Sequence, residues 1–161
     1  MEKYVLTPLI IFVPYASFAQ TNSFDVFTFQ SPEHFIKSEL PSRAQWRMKN
    51  KDASFCVITV YKSQSAKDNI MKGVMAQWNE QVVKQLNIAN KEPLKAMTEQ
   101  LWDGWASTLA IGNFYQNKKN CVVMFSSFRK EKIAACAVVA FSDKIFKGPI
   151  EPFSKNFHLN N

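Results

Sequence analysis

Apolar and polar residues alternate most regularly between Arg43 and Lys62. Arg43 to Lys49 (RAQWRMK) and Ser54 to Lys62 (SFCVITVYK) flank the polar cluster Asn50-Lys51-Asp52 and predict a β-hairpin. In its second arm an extended chain sets Phe55, Val57, Thr59 and Tyr61 on one face and Cys56, Ile58 and Val60 on the other. The second set is wholly apolar and is the expected core face. The period then changes. Ile70, Met71, Val74, Met75, Trp78, Val82 and Leu86 recur at steps of three and four, which predicts one long helix with a stripe broad enough to cover a sheet. Ser65 and Asp68 fit a capping box at its start. Trp78, in the middle of the stripe, is expected to pack against that sheet.

The remaining segments supply the sheet. Phe24 to Gln30 reads as a strand stopped by Ser31-Pro32, and Glu33 to Leu40 as a short irregular piece. Asn87 to Pro93 is a polar linker. Asp103-Gly104 is a preferred pair for a type I′ turn, so strands are expected at 95–102 and 105–115. Asn117 to Asn120 turns the chain again. Cys121 to Arg129 and Ile133 to Phe141 form a further hairpin about Lys130-Glu131, which would place Cys136 opposite Phe125 and Cys121 opposite Ala140. Pro149 to Phe157 reads as a short last helix with Ile150, Phe153 and Phe157 on one side, its prolines near the first turn. Hairpin-linked strands and separate blocks of helix define an α+β fold: a single antiparallel sheet of about six or seven strands, packed by one long helix and a short C-terminal helix.

The first nineteen residues change the expected compartment. Tyr4 to Phe18 is an apolar run behind Lys3, too short for a membrane span and interrupted by Pro8 and Pro14. Ser17 and Ala19 before Gln20 fit a signal-peptidase site. Residues 1–19 are therefore expected to be a signal peptide, and 20–161 a single domain that is periplasmic or secreted, without stable membrane insertion after cleavage. A buried first strand is the alternative. No Cys follows the cleavage site, so a lipid-anchored form is not expected.

Composition narrows the chemistry. The hydrophobic fraction of 47% suits a globular chain, and the formal charge is +7. Its basic residues are nearly all scattered lysines, with Arg only at 43, 47 and 129, whereas base readout and bidentate phosphate contacts favour arginine. Nucleic acid is not an expected partner; anionic envelope polymers or head groups are compatible with the charge. Cys56, Cys121 and Cys136 lie in apolar strand patterns and read as buried free thiols. His34 and His158 have no ligand at metal-binding spacing, and the four glycines make no phosphate loop. No catalytic residue, metal or cofactor is expected, and the chain does not read as an enzyme.

The candidate binding residues are Trp102, Asp103 and Trp105 at the Asp-Gly turn. Two indoles flanking a tight turn make a stacking platform for a sugar, a head group or a partner side chain if exposed. The competing reading is a cross-strand Trp pair, or rings folded onto the core.

The segment Phe29 to Phe35, with its F-x-x-P-E-x-F pattern, is similar to the strand and P-E-G-W entry of the PsbP-like α-β-α sandwich proteins, although His34-Phe35 stands where that family has Gly-Trp. The order that follows also resembles it: hairpin, long helix bearing Trp78, antiparallel meander, short last helix. Trp78 to Lys84 (WNEQVVK) and Asp103 to Trp105 (DGW) resemble small exported modules of Gram-negative bacteria. The resemblance covers nearly all of residues 20–161. Members of that superfamily are mostly non-enzymatic, among them photosystem assembly subunits, periplasmic lipoproteins, effector chaperones and a nuclear-transport partner. The resemblance implies a protein that binds something, without saying what. Together with the expected signal peptide, the first expectation is an exported, non-catalytic binding, adaptor or chaperone-like protein of the bacterial envelope, with an envelope protein as partner. The alternative is a carrier of a small apolar or anionic molecule or lipid, held between helix and sheet.

Overall fold

A computed structural model describes residues 21–89, 91–96, 100–142 and 147–160. The expected signal peptide at 1–19 lies outside the described residues. The chain runs β1 (Thr21–Phe24), β2 (Phe27–Gln30), β3 (Ile36–Leu40), β4 (Arg43–Lys49) and β5 (Phe55–Ser65) into the long helix. That helix comprises α1 (Ile70–Trp78), a π-helical stretch (Asn79–Val83) and α2 (Lys84–Leu86). Then come β6 (Lys95–Ala96), β7 (Gln100–Trp102), β8 (Trp105–Gln116), β9 (Lys119–Lys130), β10 (Ile133–Phe141), α3 (Lys147–Lys155) and β11 (His158–Leu159). The main sheet has the order β3-β4-β5-β10-β9-β8-β6, with β7 also paired to β8, and every pairing is antiparallel. A smaller sheet, β1-β2-β11, joins the two ends of the described chain. The α+β class, the antiparallel sheet, the long helix and the short C-terminal helix are those the sequence predicts.

Both faces of the main sheet are buried, each by a different partner. Cys56, Ile58 and Val60 of β5 are fully buried on the face shared with Phe27 and Phe29 of β2, Trp46 of β4, and Phe153 and Phe157 of the C-terminal segment. The opposite face packs under the long helix, where Val74, Trp78 and Val82 meet Tyr61, Ala110, Phe114, Val123, Phe125 and Val138. The three residues recur every fourth position, so they form one stripe along the helix. Trp78 is 1% exposed, stands edge-on to Phe125 at 5.8 Å, and donates from Nε1 to the Lys91 carbonyl at 3.0 Å. It is a packing residue, as its position in the stripe predicts.

Local chemistry moved several boundaries. The helix begins at Asn69, whose side chain accepts from the Lys72 N–H at 2.9 Å, and not at the Ser65/Asp68 box. Ser65 is the last residue of β5, held in the ladder opposite Ile133. Strand Phe24 to Gln30 is broken by a turn at Asp25, which has φ 53°. The Asp25 carboxylate accepts from the Ser63 N–H at 2.6 Å, where β5 carries one residue more than β10 between Ala134 and Cys136. A bulge frees a backbone donor, and this carboxylate satisfies it. The segment expected to be irregular contains β3, whose residues are all exposed. The last hairpin turns at Glu131-Lys132, so Cys136 faces Ser127 and Ala140 faces Val123. That is a slip of two residues, and because the side-chain period is two, every residue stayed on its expected face. Residues 97–99, inside the expected strand 95–102, lie outside the described residues.

Candidate functional site

The Asp-Gly turn forms as its chemistry requires. Asp103 and Gly104 both have positive φ, 51° and 77°, between β7 and β8, with Trp102 opposite Trp105 in register. Trp105 is 1% exposed and belongs to the core that contains Phe27, Phe128 and Phe157. Its ring face is therefore covered by the protein's own side chains. Its Nε1–H has no hydrogen-bond partner among the described residues. Asp103 faces the C-terminal strand: its Oδ2 accepts from the Leu159 N–H at 3.1 Å and lies 3.5 Å from His158 Nδ1. The turn thus fastens β11, and with it the smaller sheet, to the tip of β7-β8. The side chain of Trp102 lies outside the described residues. Of the three residues singled out in the sequence, Trp105 and Asp103 serve the packing and closure of the fold in this structure.

An open, largely apolar space lies elsewhere. A groove of about 600 Å³ runs between α3 and the sheet face of β8, β9 and β10. Leu109, Met124, Phe128, Ala137, Val139 and Phe141 line its sheet side, and Ile150, Phe153 and Phe157 its helix side. Sequence dictates this shape in two steps. Alternation along β8 to β10 puts apolar residues and Ser107 and Ser126 on one face, and small Ala137 keeps the floor low. Then Ile150, Phe153 and Phe157, at steps of three and four, turn one apolar side of the C-terminal segment toward it.

That segment is anchored at one end of the groove. Phe157 stacks among Phe27, Phe128 and Phe153 with ring centroids 5.2, 5.7 and 5.3 Å away, and Phe153 meets Phe29 at 5.3 Å. Met124, on the sheet side, stays 37% exposed. Among the described residues that line the groove the charged one is Glu151, which pairs with Lys155 at 2.6 Å. The hydrogen bond from Lys155, and then its charge, hold the Glu151 carboxyl below its ordinary range. A groove with this lining suits an alkyl chain or an apolar side chain rather than an ion.

Cys56 and Cys136 are buried thiols pushed up to about 12 by desolvation, and Cys121 is raised for the same reason, against the pull of its bond to Gln116. At neutral pH they are not nucleophiles. Among the described residues, no group of three or more His, Cys, Asp or Glu is placed to hold a metal ion, and no helix is long and apolar enough to cross a membrane. The sequence offered a ligand space between helix and sheet as an alternative but none of the groove's residues, because its walls come from β8, β9, β10 and α3 and meet only in the assembled fold.

No family model matches the chain, and no curated protein matches it. Solved structures do. The yeast Saccharomyces cerevisiae Ran-binding protein Mog1p is similar at 13% identity and a TM-score of 0.56, over 88% of this chain and 96% of that one. The PsbP of the cyanobacterium Synechocystis, CyanoP, is similar at 10% identity and a TM-score of 0.55, over 91% and 96%. A Bacteroides thetaiotaomicron crystal structure aligns at 9% identity and a TM-score of 0.47, over 84% of this chain, which spans 46% of its length. At such identities the likeness is one of fold. It agrees with the PsbP-like arrangement that the sequence resembles.

Proposed function

We propose that this chain is an exported, non-catalytic binding module of the bacterial envelope, adaptor or chaperone-like, that receives an apolar side chain of a partner in the groove beneath α3. One observation carries the reading: a mostly apolar lining surrounds about 600 Å³, and Met124 in that lining is 37% exposed. Pockets that hold organic ligands span roughly 300–1,000 Å³. Support from kinship is of a general kind. Mog1p is described as a Ran-binding protein, and a fold that serves recognition there is available for recognition here. The apolar run Tyr4 to Phe18 supports export.

The groove's volume also favours a second reading, a carrier of a small apolar molecule or lipid. The two separate by one experiment with two readouts. A photo-crosslinking residue replaces Met124 in the full chain expressed in cells, and the purified chain is also weighed by native mass spectrometry. The adaptor reading expects a covalent protein adduct from position 124 and a bare mass. The carrier reading expects a small-molecule adduct mass that vanishes in Ser126→Trp, a substitution that fills the groove. A bare mass together with no crosslink overturns both.

A further inference from the structure

The sheet face under the long helix is covered over β8, β9 and β10, but β4 and part of β5 extend beyond it. There they floor a second cleft, of about 350 Å³, closed on one side by Gln81 of the π-helical stretch and by Gln85. Arg43, Gln45, Arg47 and Lys49 alternate along one face of β4, opposite Tyr61, Thr59, Val57 and Phe55 of β5. Three cations therefore line the cleft, and no Asp or Glu is among the described residues that line it.

The arginines have polar partners without charge. Arg43 donates from Nη1 to Gln85 Oε1 at 3.3 Å; Arg47 donates from Nε to Gln45 Oε1 at 2.6 Å, and Gln45 in turn donates to Thr59 Oγ1 at 2.9 Å. Neither guanidinium is in an ion pair among the described residues. These amide contacts fix the forks while leaving further N–H donors and the whole charge available. The next strand, β3, continues the surface, with Ile36 opposite Arg47 and Leu40 opposite Arg43. Both are exposed, Ile36 at 79%.

We propose that this cleft binds an acidic, extended segment of a partner protein, with carboxylates at alternate positions interleaved with apolar residues. Spacing and chemistry both point to that occupant. Positions 43 and 47 lie about 13 Å apart along a strand and 47 and 49 about 7 Å, which is the repeat an extended peptide presents every fourth and every second residue. An extended chain with carboxylates at that repeat offers each of the three cations its own partner. Amide side chains donate and accept, as a peptide backbone requires. The aliphatic Ile36 and Leu40 beside the arginines would contact apolar side chains and gain nothing from a polyphosphate. The cleft lies on the opposite face of the sheet from the α3 groove and is independent of it.

The chain's three arginines make the test direct. The ¹⁵N-labelled chain is titrated with a peptide of alternating glutamate and valine long enough to span Arg43 to Lys49, and the arginine Nε–Hε signals are followed. Parallel titrations use inorganic phosphate, phosphatidylglycerol vesicles and the lysine–valine peptide. Saturable shifts at Arg43 and Arg47 with Arg129 unmoved, weakened at least about tenfold in Arg43→Gln/Arg47→Gln, are the expected result. The double variant should keep the wild-type spectrum elsewhere, both side chains being on the surface of the cleft. Equal movement of all three arginines overturns the proposal. So does an equally saturable response to phosphate or vesicles, or no response to the acidic peptide. A groove that proves empty on the other face leaves these outcomes untouched.

Discussion

Gly112 is the position where adding one carbon should cost most for its size. It lies on β8 opposite Val123, on the face beneath the long helix. A Cβ there would stand 2.9 Å from Trp78 Cη2, 3.2 Å from Cζ2 and 3.3 Å from Val123 Cγ1. Carbon atoms rest at roughly 3.5–4.0 Å, so the indole would have to retreat by about half an ångström or more. It is not free to do so, because its Nε1 is tied to the Lys91 carbonyl and its edge to Phe125. Overpacking of a tight core costs about 1–3 kcal/mol, against roughly 0.5–1 kcal/mol gained by replacing a strand glycine. Gly112→Ala should therefore destabilise by about 1–2 kcal/mol. Urea unfolding followed by tryptophan fluorescence reads this as a lower midpoint with an unchanged slope. In a Trp78→Phe background the two clashing ring atoms are gone, so the same substitution should be close to neutral, and the double-mutant cycle should show the difference as coupling. Gly112→Ala at wild-type stability or above, or an uncoupled cycle, would refute the account of how the helix seats on the sheet.

Other consequences follow from single contacts. Asp103→Asn keeps a residue tolerant of positive φ but weakens the acceptor for the Leu159 N–H, so it should cost about 1 kcal/mol or less and speed hydrogen exchange at Leu159 while leaving Phe125 protected. Trp105→Phe removes a buried N–H that has no partner among the described residues, whereas Trp78→Phe breaks the hydrogen bond to the Lys91 carbonyl; unfolding should show the first as the milder change, by about 1 kcal/mol. Asp52 accepts from Lys119 Nζ at 2.8 Å and from the Ser54 hydroxyl and N–H, and the Lys119 bond, then those from Ser54, hold it well below its ordinary 3.8. A depressed folded value means that its contribution is complete above about pH 4 and is lost as the pH falls further. Acid titration of stability should show a shallower loss in Asp52→Asn than in the wild type, and identical profiles would count against the Lys119 contact.

The sequence carried the frame of the fold and little of its groove and cleft. Alternation in RAQWRMK and SFCVITVYK was enough for the hairpin β4-β5, and three–four spacing from Ile70 to Leu86 was enough for the long helix, because both patterns are local. Strand parity along β9 and β10 also survived, although turn chemistry alone did not distinguish Lys130-Glu131 from Glu131-Lys132. Three things were hidden. Ile36 to Leu40 is an edge strand exposed along its length, so no buried face imposed a period on it. His158-Leu159 is too short to have one, and is held by Asp103 from a distant turn. The α3 groove and the arginine cleft each draw on several elements, so neither exists until the sheet is assembled. Trp105 shows the converse: a tempting pair of indoles at a turn, one of which the fold uses as core.

The central claim, recognition through the groove beneath α3, is tested most directly by titrating the purified chain with a neutral apolar fluorophore, N-phenyl-1-naphthylamine, beside the Ser126→Trp variant. The account predicts a saturable, blue-shifted enhancement at one site per chain, abolished in the variant while its unfolding midpoint stays near the wild-type value. Equal binding by both proteins, or no binding by either, would contradict it.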